Sequence, residues 1–254
     1  MTRPLSKSAL QVGAQCPRAL WFRYYKSFEK DAVPDDNAEE MFRIGNIVGG
    51  SARFYFDNFY DDEMSYSVTI DTDRGFSPEY YYDYAQQTAN AMQDPNCHTI
   101  AEATFYVDDL VVFVDLLHRN PDGGWDIYEV KSSRQAKPVH VMDCSWQTYI
   151  VRDLCGVDIR NSYLMIPARG NWYMDGQSCS PDDFIIVDTY TDYIANYSRS
   201  GEIPAQINAF WDMLSNQSFP PPVPDDVDYI GSSDRCRSPY QCNFTGICSN
   251  CQSD

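Results

Sequence analysis

The sequence predicts a single domain of mixed α/β class, and three observations carry that prediction. At 254 residues the chain is long enough for one large core and too short to argue for two. Segments of helical spacing surround a central block of strand-like runs. Two of those runs are joined by Asn120-Pro121-Asp122-Gly123-Gly124, a strong turn signal between strands.

Taken in order, helical spacing covers 6–28, 37–61 and 78–94, and strand-like patterns cover 99–107, 110–119 and 125–132. A helix near 138–155 and a strand near 160–167 follow. The segment from Pro167 to Asp183, rich in Gly, Asn, Ser and Pro, reads as a hairpin or loop. A short strand at Phe184 to Asp188 and a helix to about Ser215 come next. Phe219-Pro220-Pro221-Pro222-Val223-Pro224 then opens a proline-rich return to a cysteine-rich end. The domain thus has an N-terminal helical part (1–97), a core (98–190) and a C-terminal helix with a cysteine segment (191–254). No internal repeat is evident, and no apolar run is long enough to span a membrane.

The turn fixes a register with chemical content. Centred at Asp122, it sets Asp115, in Val112-Phe113-Val114-Asp115, directly opposite Glu129, in Tyr128-Glu129-Val130-Lys131. Lys131, two residues on, points to the same face because side chains alternate along a strand. Two carboxylates about 5 Å apart across a ladder repel each other. A divalent cation offsets that repulsion, and hard oxygen ligands suit magnesium or manganese. A lysine beside them can stabilise a phosphate's developing charge or orient a water, which outlines a phosphodiesterase site. A solvated strand face with a salt bridge would give the same pattern.

Cysteine is the second constellation. Of nine cysteines, Cys16 stands in Gln15-Cys16-Pro17-Arg18-Ala19-Leu20-Trp21, and Cys236, Cys242, Cys248 and Cys251 crowd the other end. The opening Met1-Thr2-Arg3-Pro4-Leu5-Ser6-Lys7-Ser8 has no apolar signal region, so the reading is a cytoplasmic protein with reduced thiols. Clustered reduced cysteines point to zinc or to an iron–sulfur cluster. Zinc favours paired Cys-x2-Cys knuckles, and the end segment has one such pair, Cys248 with Cys251. Cys97, Cys144, Cys155 and Cys179 are scattered and read as small buried or partly buried hydrophobes.

Asp115 with Glu129-Val130-Lys131 resembles the core hairpin of the PD-(D/E)XK nuclease superfamily, and the predicted order helix, three strands, helix, strand is the one its core requires. Cys16-Pro17 with the terminal cysteines resembles the iron–sulfur branch of RecB-type nucleases, comprising the CRISPR-associated RecB-like exonucleases and the AddB-type repair nucleases. Further local likeness lies in Leu5 to Trp21, in Ala101-Glu102-Ala103-Thr104-Phe105 and in Cys236 to Cys248, so the resemblance covers nearly the whole chain.

The resemblance implies a restriction-endonuclease-like core, a mixed sheet flanked by helices, with a C-terminal iron–sulfur clasp. By that match Cys16, Cys236, Cys242 and Cys248 would hold a four-iron four-sulfur cluster, with Cys251 the alternative for one of them. Glu102 matches an acidic position of these families and reads as a further metal ligand or a residue behind the ligands. Asp143 and Gln147, four apart, share a helix face. Of the AddB branch's Gln-x-x-x-Tyr on this helix, Gln147 alone carries over. Related nucleases place a metal-binding histidine near Gly45-Asn46-Ile47-Val48-Gly49, where this chain has glycine. None of His98, His118 and His140 clearly replaces it, and each reads as a surface histidine.

Charge bears on partners. With 37 acidic against 19 basic residues the net charge is -18, which argues against tight nonspecific DNA binding. Basic residues cluster locally, as Arg18, Arg23 and Lys26 and as Lys131, Arg134 and Lys137. Tyr24, Tyr25, Tyr80, Tyr81 and Tyr82 can pack in the fold or stack on unpaired bases. The expectation is a magnesium- or manganese-dependent deoxyribonuclease, by resemblance an exonuclease on single-stranded DNA ends, with protein partners left open and no membrane. Asp115 and Glu129 would hold the cation, Lys131 would sit by the water and scissile phosphate, and Gln147 would help position them. The alternative is a catalytically weak nucleic-acid-binding or assembly module with the same fold.

Overall fold

The computed structural model describes residues 3–29, 36–59, 65–168, 180–216 and 218–248. In chain order the elements are β1 (Leu5–Ser6), α1 (Lys7–Gln15), α2 (Pro17–Tyr25), α3 (Asp36–Phe59), β2 (Tyr66–Thr69), α4 (Pro78–Gln93), β3 (Cys97–Val107) and β4 (Leu110–Arg119). They continue with β5 (Trp125–Val130), α5 (Pro138–Thr148), β6 (Ile159–Pro167), β7 (Phe184–Asp188), α6 (Tyr190–Asn196) and α7 (Glu202–Asn216). The chain divides into two compact units, Met1–Pro4 with Asp36–Ser198, and Leu5–Asp35 with Arg199–Asp254.

In the first unit six strands lie in the order β2-β3-β4-β5-β6-β7. The sheet is mixed: β2 with β3 and β5 with β6 run parallel, and the other neighbours run antiparallel. Parallel neighbours need a crossover, and α4 and α5 supply the two. Strand alternation then sorts side chains to two faces. Ala101, Leu116, Tyr128 and Met165 pack with Val48, Ala52 and Phe56 of α3, all nearly solvent-free. On the opposite face Leu164 and Ile166 pack with Cys144 of α5, and Phe113 meets Tyr81 of α4 with ring centres 6.0 Å apart. The expected mixed α/β architecture, a sheet with helices on both faces, is therefore present.

The hairpin turn is built as its sequence implies. Asn120 N–H donates to the Gly124 carbonyl at 3.1 Å, and Gly123 N–H to the Asn120 carbonyl at 2.9 Å. Gly123 and Gly124 take φ of 88° and 77°, conformations that favour glycine. A Cβ at Gly124 would also stand 2.5 Å from the Asp158 carbonyl, so this position needs glycine twice over.

Several elements differ from the sequence expectation, each for a local reason. The helix expected over 6–28 is two helices broken at Cys16, whose φ of -157° is extended because the following Pro17 disfavours α geometry. The helix near 138–155 is α only to Thr148 and continues as a π turn, Tyr149–Leu154. The helix ending near Ser215 is interrupted at Gly201, which takes φ 75°. β2 was not expected, since four mostly exposed residues carry little hydrophobic pattern. Of the segment expected to loop between Pro167 and Asp183, residues 169–179 lie outside the described residues.

In the second unit the two chain ends meet. Gln15, at the end of α1, donates from Nε2 to the carbonyls of Arg235 and Tyr240 at 2.7 and 2.8 Å. Buried Arg235 returns a bond to the Gln15 carbonyl at 2.8 Å and also holds Asp226 and the Val227 carbonyl. Phe22 of α2 packs on Phe244, ring centres 5.8 Å apart. Gly13 lets α1 approach closely, since a Cβ there would stand 2.8 Å from both Leu20 and Phe210. Polar satisfaction and aromatic packing thus substitute for regular structure in the C-terminal segment.

Candidate active site

The β4–β5 ladder has the expected register, with Leu116↔Tyr128, Leu117↔Ile127, His118↔Asp126 and Arg119↔Trp125 paired about Asp122. Asp115 and Glu129 stand one step beyond its last pair. On the other side of β4, Ala101↔Leu116 and Ala103↔Val114 bracket the position where Glu102 faces Asp115. Three carboxylate residues from three neighbouring strands therefore form one row across the sheet. Glu102 takes φ 55° inside a strand, a left-handed conformation that costs a glutamate about 1–3 kcal/mol.

Protein partners hold each member of the row. Asp115 Oδ2 accepts the Val130 N–H at 2.7 Å, where the ladder would otherwise continue. Glu102 pairs with Arg53 of α3 at 2.9 Å. Glu129, 1% exposed, accepts from Lys131 Nζ at one oxygen and from Gln147 Nε2 at the other, the latter at 2.7 Å. Lys131 Nζ also donates to Asp143 Oδ2 at 2.9 Å. Burial works against the Lys131 charge, but Glu129, Asp143 and Asp115 outweigh it and hold the ammonium well above the usual lysine range.

A cavity of about 300 Å³ opens beside this row, lined by Gly45, Asn46, Gly49, Arg53, Glu102, Asp115, Leu116 and Val130. Gly45, Gly49 and Arg53 follow at spacings of four and so share one face of α3. The glycines stand where the resemblance expects an imidazole, and a Cβ at Gly45 or Gly49 would meet nothing within 4 Å. Both glycines thus border open space on this side of the row.

The histidines correct one expectation. His118 and His140 are buried rather than on the surface, at 2% and 5% exposure. Burial first, then the positive charge of neighbours, pushes His118 down to about 3 and His140 down to about 4, so both are neutral at ordinary pH. His118 sits under Phe56 and exchanges a hydrogen bond with Thr99 at 2.8 Å, away from the carboxylate row.

The cysteines expected as ligands come together in the second unit. Cys16, Cys236, Cys242 and Cys248 line one small cavity with Arg18, Ala19, Phe22, Val223, Arg235 and Phe244. Cys16, Cys242 and Cys248 are free thiols, whereas Cys236 is disulfide-bonded. Burial raises the Cys16 thiol, while the N–H groups of Ala19 and Arg18, in the first turn of α2, pull it the other way. The cavity is about 10 Å³, room for at most one water, so a cluster would require the sulfurs to part. Cys251 and Cys179 lie outside the described residues, and Cys97 and Cys144 are fully buried as expected of small hydrophobes.

Among the described residues no three His, Cys, Asp or Glu side chains form a ready metal-binding group. In the carboxylate row Glu102 turns to Arg53 of α3, whereas Glu129 turns to Lys131 and to Gln147 of α5. Sequence reasoning missed Arg53 and the Lys131–Asp143 pair, although spacings of four residues placed Arg53 with Gly49 and Asp143 with Gln147. It missed Gln15 and Arg235 too, and nothing local in the sequence marks those.

No family model matches the chain, and no curated protein matches it. Among solved structures, the crystal structure of SSO0001 is 13% identical, covers 85% of this chain and 98% of that chain, and superposes with a TM-score of 0.34. That likeness is too slight to bear on fold or activity. Among the described residues no helix is long and apolar enough to cross a membrane.

Proposed function

We propose that this chain is a metal-dependent deoxyribonuclease of PD-(D/E)XK type, acting as an exonuclease on single-stranded DNA ends. The observation that carries the reading is the row Glu102, Asp115 and Glu129 on adjacent strands, of which Glu102 and Asp115 line a cavity of about 300 Å³. Bound magnesium or manganese would supply polarisation of a phosphoryl oxygen and a water nucleophile at neutral pH. Asp115 and Glu129 would hold it, with Glu102 a further ligand on exchanging its bond to Arg53. Lys131 would stand by the water and scissile phosphate, and Gln147 would fix the Glu129 carboxylate through the bond it already makes.

Cys16, Cys236, Cys242 and Cys248 would hold a four-iron four-sulfur cluster whose part is structural, tying the two chain ends. Their convergence on one cavity supports this, and Cys236 must first be reduced. Exposed Arg134 and Lys137, next to Lys131, offer a short basic strip to DNA. A chain of net charge -18 can neutralise few phosphates, so its affinity should fall only shallowly with salt.

The second reading is a weak nucleic-acid-binding or assembly module, favoured by the absence of an imidazole at Gly45 and Gly49. End-labelled single-stranded DNA with Mn²⁺ separates the two. The nuclease reading expects progressive shortening, reduced at least about 10³-fold in Asp115→Ala and Glu129→Ala. DNA binding without cleavage by the wild type would leave the module, and wild-type cleavage by either variant would remove the carboxylate row from the reaction.

A further inference from the structure

One ammonium serves two buried carboxylates. Lys131 Nζ donates to Glu129 Oε1 and, at 2.9 Å, to Asp143 Oδ2, and the Glu129 and Asp143 side chains are each 1% exposed. Glu129 is also the carboxylate that the proposed cation would take. A lysine and a divalent cation cannot both keep the same oxygens, and an ammonium forced from a buried partner needs another or must regain water at a cost. Asp143 is already bonded to Nζ, on the α5 face that carries Gln147 four residues later. Removing the bond to Glu129 therefore leaves Lys131 anchored within reach of the site.

We propose that Asp143 is a positioning residue that retains Lys131 when a cation occupies Glu129, so that the lysine and the cation stop competing. The inference rests on the metal reading of the previous section. It follows that Asp143 acts on cation affinity only through Lys131. Without the Asp143 charge, Lys131 would turn wholly to Glu129 and oppose the cation.

The experiment is calorimetric titration of the purified full chain with Mn²⁺ alone, in the absence of DNA. Asp143→Asn should weaken binding about tenfold, the size of one lost charged hydrogen bond. Lys131→Met should tighten it, and the double variant should match Lys131→Met, so that the Asp143 effect vanishes in that background. Asp143→Glu, which keeps the carboxylate, should retain near wild-type affinity, a rescue not expected if the position mattered only for packing. Persistent weakening by Asp143→Asn when Lys131 is already Met would show that Asp143 acts on the cation directly, as a ligand or through its charge, and would overturn the inference. Tight wild-type binding unmoved by Asp143→Asn would overturn it alone, leaving the metal reading in place. No Mn²⁺ binding by the wild type would overturn both.

Discussion

The carboxylate row and the cysteine cavity both gather residues remote in sequence, but they are held by different forces. In the row, strand ladders set the backbone positions of Glu102, Asp115 and Glu129, and Arg53, the Val130 N–H, and Lys131 with Gln147 bond their side chains in turn. In the cysteine cavity, three of the four sulfurs come from a segment without helix or strand, and burial makes the Cys16 thiolate costly. A polar cluster that satisfies itself needs no ligand to fold. A buried sulfur cluster in irregular chain gains far more from one.

The sharpest way to break that comparison is to remove each ligand in turn. Cys16→Ala should abolish iron content and lower the melting temperature by roughly 10 °C or more, since a structural metal site is worth several kcal/mol and each kcal/mol moves a chain of this size by about 2–4 °C. EDTA, by contrast, should leave the melting temperature nearly unchanged, because the carboxylates keep their protein partners. Iron-free protein from anaerobic purification, with wild-type melting, would remove the cluster and the contrast together.

Acid sharpens the comparison at the level of the two units. All three histidines, His98, His118 and His140, fall in the unit that carries the sheet. Folded His118 stays neutral down to about pH 3, while the unfolded side chain takes its proton near 6.5. Stability present above about pH 6.5 is therefore lost as the pH falls towards 3, because the unfolded chain binds the proton first. His118→Phe should recover part of that loss, on the order of 2 kcal/mol at pH 4 relative to its own value at pH 7. Denaturant melts at the two pH values, followed by Trp125 and Trp146 fluorescence, would measure it. An identical acid response in wild type and variant would show that His118 is not the group responsible.

The smallest effect tests whether the opening beside the row is a tolerated gap. Gly49→Ala places a methyl where nothing stands within 4 Å and should raise stability by about 0.5–1 kcal/mol through helix propensity. Denaturant unfolding reads it directly. A loss of stability would mean that the glycine face of α3 has a packing role.

Sequence alone determined whatever depends on short-range geometry. The Asn120 to Gly124 turn fixed the hairpin register, because a short turn admits few pairings and a slip of one residue would exchange the two faces. That register placed Asp115 one step beyond the last pair with Glu129, and helix spacing placed Asp143 and Gln147 on one face of α5. Pro17 also encodes a helix boundary locally, since a proline restrains the residue before it. Only tertiary structure decided which carboxylate each cation would choose. Lys131 shared between Glu129 and Asp143, Arg53 on Glu102, and Gln15 with Arg235 joining positions 220 apart are settled by distances between separately folded elements. No spacing along the chain encodes such distances. Burial of His118 was likewise undecided until α3 laid Phe56 over it, because one strand's alternation says which residues share a face and not which face is covered.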